Sequence, residues 1–174
     1  IIIYGIIRHY MASHQLLNSH SFSVDVKKLG AIKTIAKKIA KSCRGGEVIY
    51  LTGDLGAGKT TFVQYLARAL GVRPVVNSPT FLVMKEYQSK NLTLIHADCY
   101  RIQTLDDVAS TGLLDNIGMT NMICAIEWPE KVAELENYPH LHLKIVFGDK
   151  SRTLLIERHG DDAVYKRWWK GIVS

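Results

Sequence analysis

Cysteine is scarce in this chain: Cys43, Cys99 and Cys124 stand far apart, with no CxxC pair among them. That spacing argues against a zinc ribbon, a thioredoxin-like redox pair and a disulfide-stapled scaffold, and it fits a reducing, cytoplasmic setting. Long apolar runs are missing too. The opening Ile-Ile-Ile-Tyr-Gly-Ile-Ile stretch is seven residues, far short of the roughly 20 that cross a bilayer. It also lacks the basic lead and small-residue cleavage site of a signal peptide. There are four prolines, no low-complexity linker and no internal repeat, so 174 residues are expected to form one domain rather than an array. Apolar residues at 47% and charged residues at 22% exclude a wholly disordered, collagenous or membrane-spanning chain.

Acid is nearly absent from the first 44 residues, where eight basic residues face Asp25 alone. The remainder carries 14 basic and 15 acidic residues. The formal charge of +6 therefore belongs to one N-terminal segment, and a generally basic nucleic-acid-binding domain is disfavoured. Residues 1–20 are expected to be a weakly ordered extension, with Met11 a natural start, and residues 21–174 to form the domain. From Val26 to Cys43, Leu29, Ile32, Ile35, Ala36, Ile39, Ala40 and Cys43 recur at helical spacing, while Lys33, Lys37, Lys38, Lys41 and Arg44 share the other face. A solvated outer face is the simplest reading of that basic stripe; contact with an acidic partner or with RNA stays open.

After Gly45-Gly46, Glu47–Thr52 reads as a buried strand and Thr60–Leu70 as an amphipathic helix ending at Gly71. Phe81–Tyr87 and Leu92–Ala97 read as a hairpin, Leu105–Leu114 as a short helix with an acidic start, Met122–Ile126 as a strand, and Leu141–Phe147 with Arg152–Arg158 as a second hairpin. Strand–helix–strand order with antiparallel additions predicts a three-layer α/β/α fold with a mixed sheet.

Between the first strand and its helix, residues 53–60 read Gly-Asp-Leu-Gly-Ala-Gly-Lys-Thr, a full match to the phosphate-loop pattern G-x-x-x-x-G-K-[ST] in the setting that confirms it. Glycines at 53, 56 and 58 let backbone N–H groups turn toward phosphate oxygens. The helix N-terminus adds further donors and a positive dipole end. Lys59 supplies a mobile charge for β- and γ-phosphates, and the Thr60 hydroxyl is placed for Mg²⁺. The pattern makes Gly53, Asp54, Leu55, Gly56, Ala57, Gly58, Lys59 and Thr60 the candidate nucleotide-binding residues, with Thr61 directly after them. It does not say what happens to the phosphate.

Hydrolysis needs acids at neighbouring strand ends. Asp98 closes the run Leu92–Asp98 and Glu127 closes Met122–Glu127; one could hold Mg²⁺ while the other orients a water. Thr80, in Asn77-Ser-Pro-Thr80, fits either a γ-phosphate sensor or a turn cap. His96 reads as a strand residue, and Arg101 as either an arginine finger or an ion-pair partner of Asp106 or Asp107. No Asn-Lys-x-Asp follows a strand and no arginine-rich lid follows residue 130, which disfavours a GTPase and a nucleotide kinase; a nucleotide-dependent binding module is the non-enzymatic alternative.

Four blocks in order, Gly53-Asp-Leu-Gly-Ala-Gly-Lys-Thr-Thr61, Ser78-Pro-Thr-Phe81 with Glu86-Tyr87, His96-Ala-Asp-Cys-Tyr-Arg101 and Ile126-Glu-Trp-Pro-Glu130, resemble the TsaE family of P-loop ATPases of tRNA threonylcarbamoyladenosine biosynthesis. The resemblance implies a P-loop fold, ATP and Mg²⁺ as cofactors, and TsaD and TsaB as protein partners. The pathway substrate is tRNA, modified at adenosine 37 in ANN-decoding species. It further implies that Lys59 and Thr60 serve phosphate and metal, that Thr80 lies in a switch-like loop, that Asp98 is the second metal-site acid and that Glu127 is the acid needed for hydrolysis. Trp128 follows Glu127 in the family pattern, lining the site or packing. Lys85, where many members have an acid, and the strength of the basic stripe are departures.

Overall fold

Strands that are buried on both faces are mostly apolar, and Val48–Thr52 (β3), Thr93–Asp98 (β5) and Met122–Glu127 (β6) are such strands, with Thr93 and His96 as the polar residues before their ends. They pair in parallel, β5 with β6 and β6 with β3. The computed structural model describes residues 14–18, 21–26, 29–79, 82–102, 104–148, 151–160 and 163–173. Around the parallel strands it builds an eight-stranded mixed sheet. Strand β7 (His140–Phe147) is parallel to β3. Strands β8 (Arg152–His159), β2 (Ser21–Val26) and β1 (His14–Asn18) continue one edge antiparallel, and β4 (Met84–Gln88) closes the other.

Helices α1 (Leu29–Ser42), α2 (Lys59–Leu70) and α5 (Ala163–Val173) contribute to the larger core on one face of the sheet. Ile32, Ile39, Phe62, Leu66 and Trp168 are fully buried there, each removal from water stabilising the fold by about 1.5–3 kcal/mol. The opposite face has a thinner cover, made by α3 (Leu105–Thr111), α4 (Leu113–Asn116) and two 3₁₀ turns at Pro129–Lys131 and Ala133–Asn137. The three-layer α/β/α architecture with antiparallel additions is the expected one. No helix among the described residues is long and apolar enough to cross a membrane.

Several boundaries differ from the sequence reading. Helix α1 begins at Leu29 rather than Val26, because Ser21–Val26 is drawn into the ladder with β8. The strand read as Phe81–Tyr87 begins at Met84, after Val83 turns to φ 61°. The helix read over Leu105–Leu114 is broken at Gly112, whose φ is 70°. Residues 14–18, within the stretch expected to be a loose extension, form edge strand β1, which satisfies backbone groups β2 would otherwise present to solvent. Helix α5 was not anticipated. On α1, Lys33, Lys37 and Lys41 are exposed and Lys38 is half-buried.

Candidate nucleotide site

The carboxyl ends of the parallel strands are where chain crossings leave the sheet, and three elements deliver polar groups to that edge. The first is the turn from β3 into α2. Gly53, Gly56 and Gly58 have φ of 133°, 77° and 113°, values that side chains with a Cβ rarely adopt. Gly53 is constrained twice, since a Cβ there would meet the backbone carbonyl of Ile145 on β7. Ala57 is buried beneath the loop and its N–H donates to the Asp54 carbonyl at 3.1 Å.

Lys59, the first residue of α2, is buried. Its Nζ donates to the carbonyls of Gly53 at 2.7 Å and Asp54 at 3.0 Å and lies 3.9 Å from the centre of the Trp128 ring. Burial lowers the Lys59 pKa from its ordinary value, against the pull of Glu127, Asp98, Glu130 and Asp54, which favour its charge. Trp128 holds its indole there from a left-handed backbone, φ 57°, a conformation costing roughly 1–2 kcal/mol. It therefore lines the cleft, with the Tyr100 ring 5.1 Å away.

The second and third elements are β5 and β6, in which Asp98 and Glu127 are register partners. Both carboxylates are buried, and each is held by short polar contacts. Glu127 Oε1 accepts from the Thr60 hydroxyl at 2.8 Å and from His96 Nε2 at 2.8 Å. Asp98 Oδ2 accepts from the Ser78 hydroxyl at 3.0 Å, and Oδ1 accepts from the Tyr100 N–H at 3.1 Å. Because the carboxylate only accepts, His96 carries its proton on Nε2, and its fully buried Nδ1 has no hydrogen-bond partner among the described residues.

Leu55, Gly56, Gly58, Lys59, Thr60 and Thr61 line an open cleft of about 420 Å³ together with Ser78, Asp98, Tyr100, Arg101, Glu127 and Trp128. Thus Lys59, Thr60, Asp98 and Glu127, named from sequence, come together. Gly53, Asp54 and Ala57 form the loop behind the cleft, and Thr80 lies outside the described residues. Asp107 closes a capping box with Thr104. Sequence reasoning missed Ser78 and Tyr100, and it gave His96 no role. For His96 a signal exists in the i, i+2 spacing to Asp98, which puts both side chains on one face of β5.

A strand–loop–helix phosphate cradle, with acids at two adjacent parallel strand ends, defines a P-loop fold with a nucleotide-type site. The family model for the threonylcarbamoyl adenosine biosynthesis protein TsaE matches residues 26–156. The chain is 41% identical to the tRNA threonylcarbamoyladenosine biosynthesis protein TsaE of Bacillus subtilis, over 75% of this chain and 73% of the relative. It is 35% identical to the protein of that name from Synechocystis, over 68% and 77%. The crystal structure of YdiB from Bacillus subtilis superposes with a TM-score of 0.70 at 28% identity, covering 87% of this chain and 93% of that one. The chain belongs to the TsaE family.

Proposed function

We propose that this protein is a cytoplasmic, Mg²⁺-dependent ATP hydrolase. It supports formation of N6-threonylcarbamoyladenosine at position 37 of ANN-decoding tRNAs, acting with TsaD and TsaB. The observation that carries the hydrolase reading is the convergence of the Thr60 hydroxyl and the Glu127 and Asp98 carboxylates beside the phosphate loop. An all-oxygen set of one hydroxyl and two carboxylates suits Mg²⁺, a hard cation. Thr60, Asp98 and Glu127 would hold that ion, which when bound neutralises charge on the phosphate oxygens.

The remaining work falls to the chain. Backbone N–H groups of Gly53 to Thr61 and the α2 N-terminus receive the phosphates. Lys59, already charged over an indole, turns its three N–H donors from loop carbonyls to phosphate oxygens. Glu127, oriented by two donors, holds the attacking water in line. The tRNA role is supported by the names of the relatives.

The test is ATP turnover alone and with TsaB and TsaD. Glu127→Ala should lower stimulated turnover by about 100-fold or more while leaving ATP binding in place, and Lys59→Ala should abolish binding. Undiminished turnover in Glu127→Ala would refute the assignment.

A further inference from the structure

On the sheet face away from α2, the β7–β8 hairpin gathers three imidazoles and a carboxylate. His140 and His142 are two apart on β7, and their neighbours Leu141 and Leu143 point into the larger core, so both histidines project from the other face. In the antiparallel register His140 lies opposite His159, and His142 opposite Glu157, which makes a two-by-two block of side chains. One ring nitrogen from each histidine lies within 4.8 Å of the other two. It is the one such group able to hold a metal ion found among the described residues.

The surroundings prepare two of the rings. His140 Nδ1 lies 2.8 Å from the Tyr138 carbonyl, so that nitrogen carries the proton and Nε2 keeps a lone pair. His142 Nε2 lies 2.7 Å from the Thr52 hydroxyl, which leaves Nδ1 as its ligand atom. Metal-bound histidines are ordinarily anchored in this way, one nitrogen on a protein oxygen and the other on the ion. His140 is further fixed by stacking on Tyr50 at 3.9 Å. The third ring must move: His159 stacks parallel to His140 at 4.5 Å, and parallel rings aim their lone pairs side by side rather than at one point. Its side chain is 48% exposed, with Glu157 Oε2 at 3.8 Å, so rotation about its side-chain bonds is unobstructed on the solvent side.

We propose that His140, His142 and His159 bind one divalent transition-metal ion of the zinc class. Three imidazoles suit Zn²⁺ rather than Mg²⁺, and the proposal does not rest on the activity proposed for the nucleotide cleft. Three protein donors leave the fourth position to water, and the ion ties the start of β7 to the end of β8.

The experiment uses tag-free, chelator-treated full-length protein titrated with Co²⁺, followed by displacement with Zn²⁺. One equivalent should give the intense visible bands of four-coordinate cobalt, and Zn²⁺ should abolish them. Thr52→Val, which removes an anchor and no ligand, should weaken binding by roughly 10- to 100-fold, and His159→Ala should weaken it more. His159→Ala is chosen because the residue is exposed; unfolding of its metal-free form should match wild type. A wild-type protein without four-coordinate bands would overturn the site, as would a His159→Ala variant that binds Co²⁺ like wild type, since the ion would then sit elsewhere.

Discussion

The parallel strands β3, β5 and β6 and the antiparallel strands β8, β2 and β1 belong to one sheet and use much the same apolar residues, yet their polar residues fall in different places. In the parallel part each strand ends on a polar residue at one edge: Thr52, Asp98 and Glu127 are the last residues of their strands. Both faces are covered, and only the carboxyl ends open to solvent. In the antiparallel part Leu154 and Ile156 face the helices, while Glu157 and His159 lie along the other face. Strand direction, more than composition, decides where chemistry can sit. The two parts should therefore fail separately when perturbed, except where they touch.

The largest effect is expected at α5, which braces the antiparallel side. Trp168 is 1% exposed and its Nε1 donates to the Ile39 carbonyl at 3.3 Å. Trp168→Ala should cost about 3–5 kcal/mol, read from the urea midpoint, while nucleotide affinity of the folded protein stays within about twofold. Loss of affinity alongside stability would break the contrast.

Gly53 is the seam between the two parts, its α-carbon facing the Ile145 carbonyl of β7. Gly53→Ala combines a left-handed backbone cost with a steric one, about 2–4 kcal/mol together. It should also displace the loop amides, so stability and nucleotide binding should fall together. An alanine variant that binds nucleotide normally would show that the loop seats without that close approach.

Within the parallel part, His96→Leu leaves Glu127 with one donor instead of two. A hydrogen bond to a charged group contributes about 1.5–3 kcal/mol. Steady-state ATP turnover should fall roughly tenfold or more through kcat, with KM unchanged, and His96→Gln, which restores an N–H donor, should recover part of it. Equal losses in both variants would leave His96 a packing residue and no positioning residue.

The phosphate loop was legible because its glycines, lysine and threonine are set by local backbone geometry. Asp98 and Glu127 were legible because each ends an apolar run. Ser78 and Tyr100 were not, since their contacts with Asp98 depend on how the segments flanking β4 and β5 return to the sheet. Strand β2 was hidden for a similar reason: Ser-Phe-Ser-Val-Asp-Val alternates, but its partner β8 lies more than 120 residues away, and its last residue, Val26, read as the start of the helix that follows. Helix α5 escaped notice because Trp168, Trp169 and Ile172 acquire a periodic meaning only against α1.

The smallest effect tests the thin cover over the parallel strands. Helix α3 starts at a reciprocal cap: Thr104 Oγ1 accepts from the Asp107 N–H at 3.2 Å, and Asp107 Oδ2 accepts from the Thr104 N–H at 2.9 Å. Thr104→Ala removes the first bond and should cost about 1 kcal/mol. Both cap residues are exposed and Val108 is the buried anchor of the helix, so the loss should act as local opening rather than global unfolding. Hydrogen exchange at the amides of Val108 to Thr111 should then speed up roughly fivefold, with exchange in α1 unchanged. If α1 loses protection by the same factor, the two covers of the sheet unfold as one unit, and the separation between the parts does not extend to its two faces.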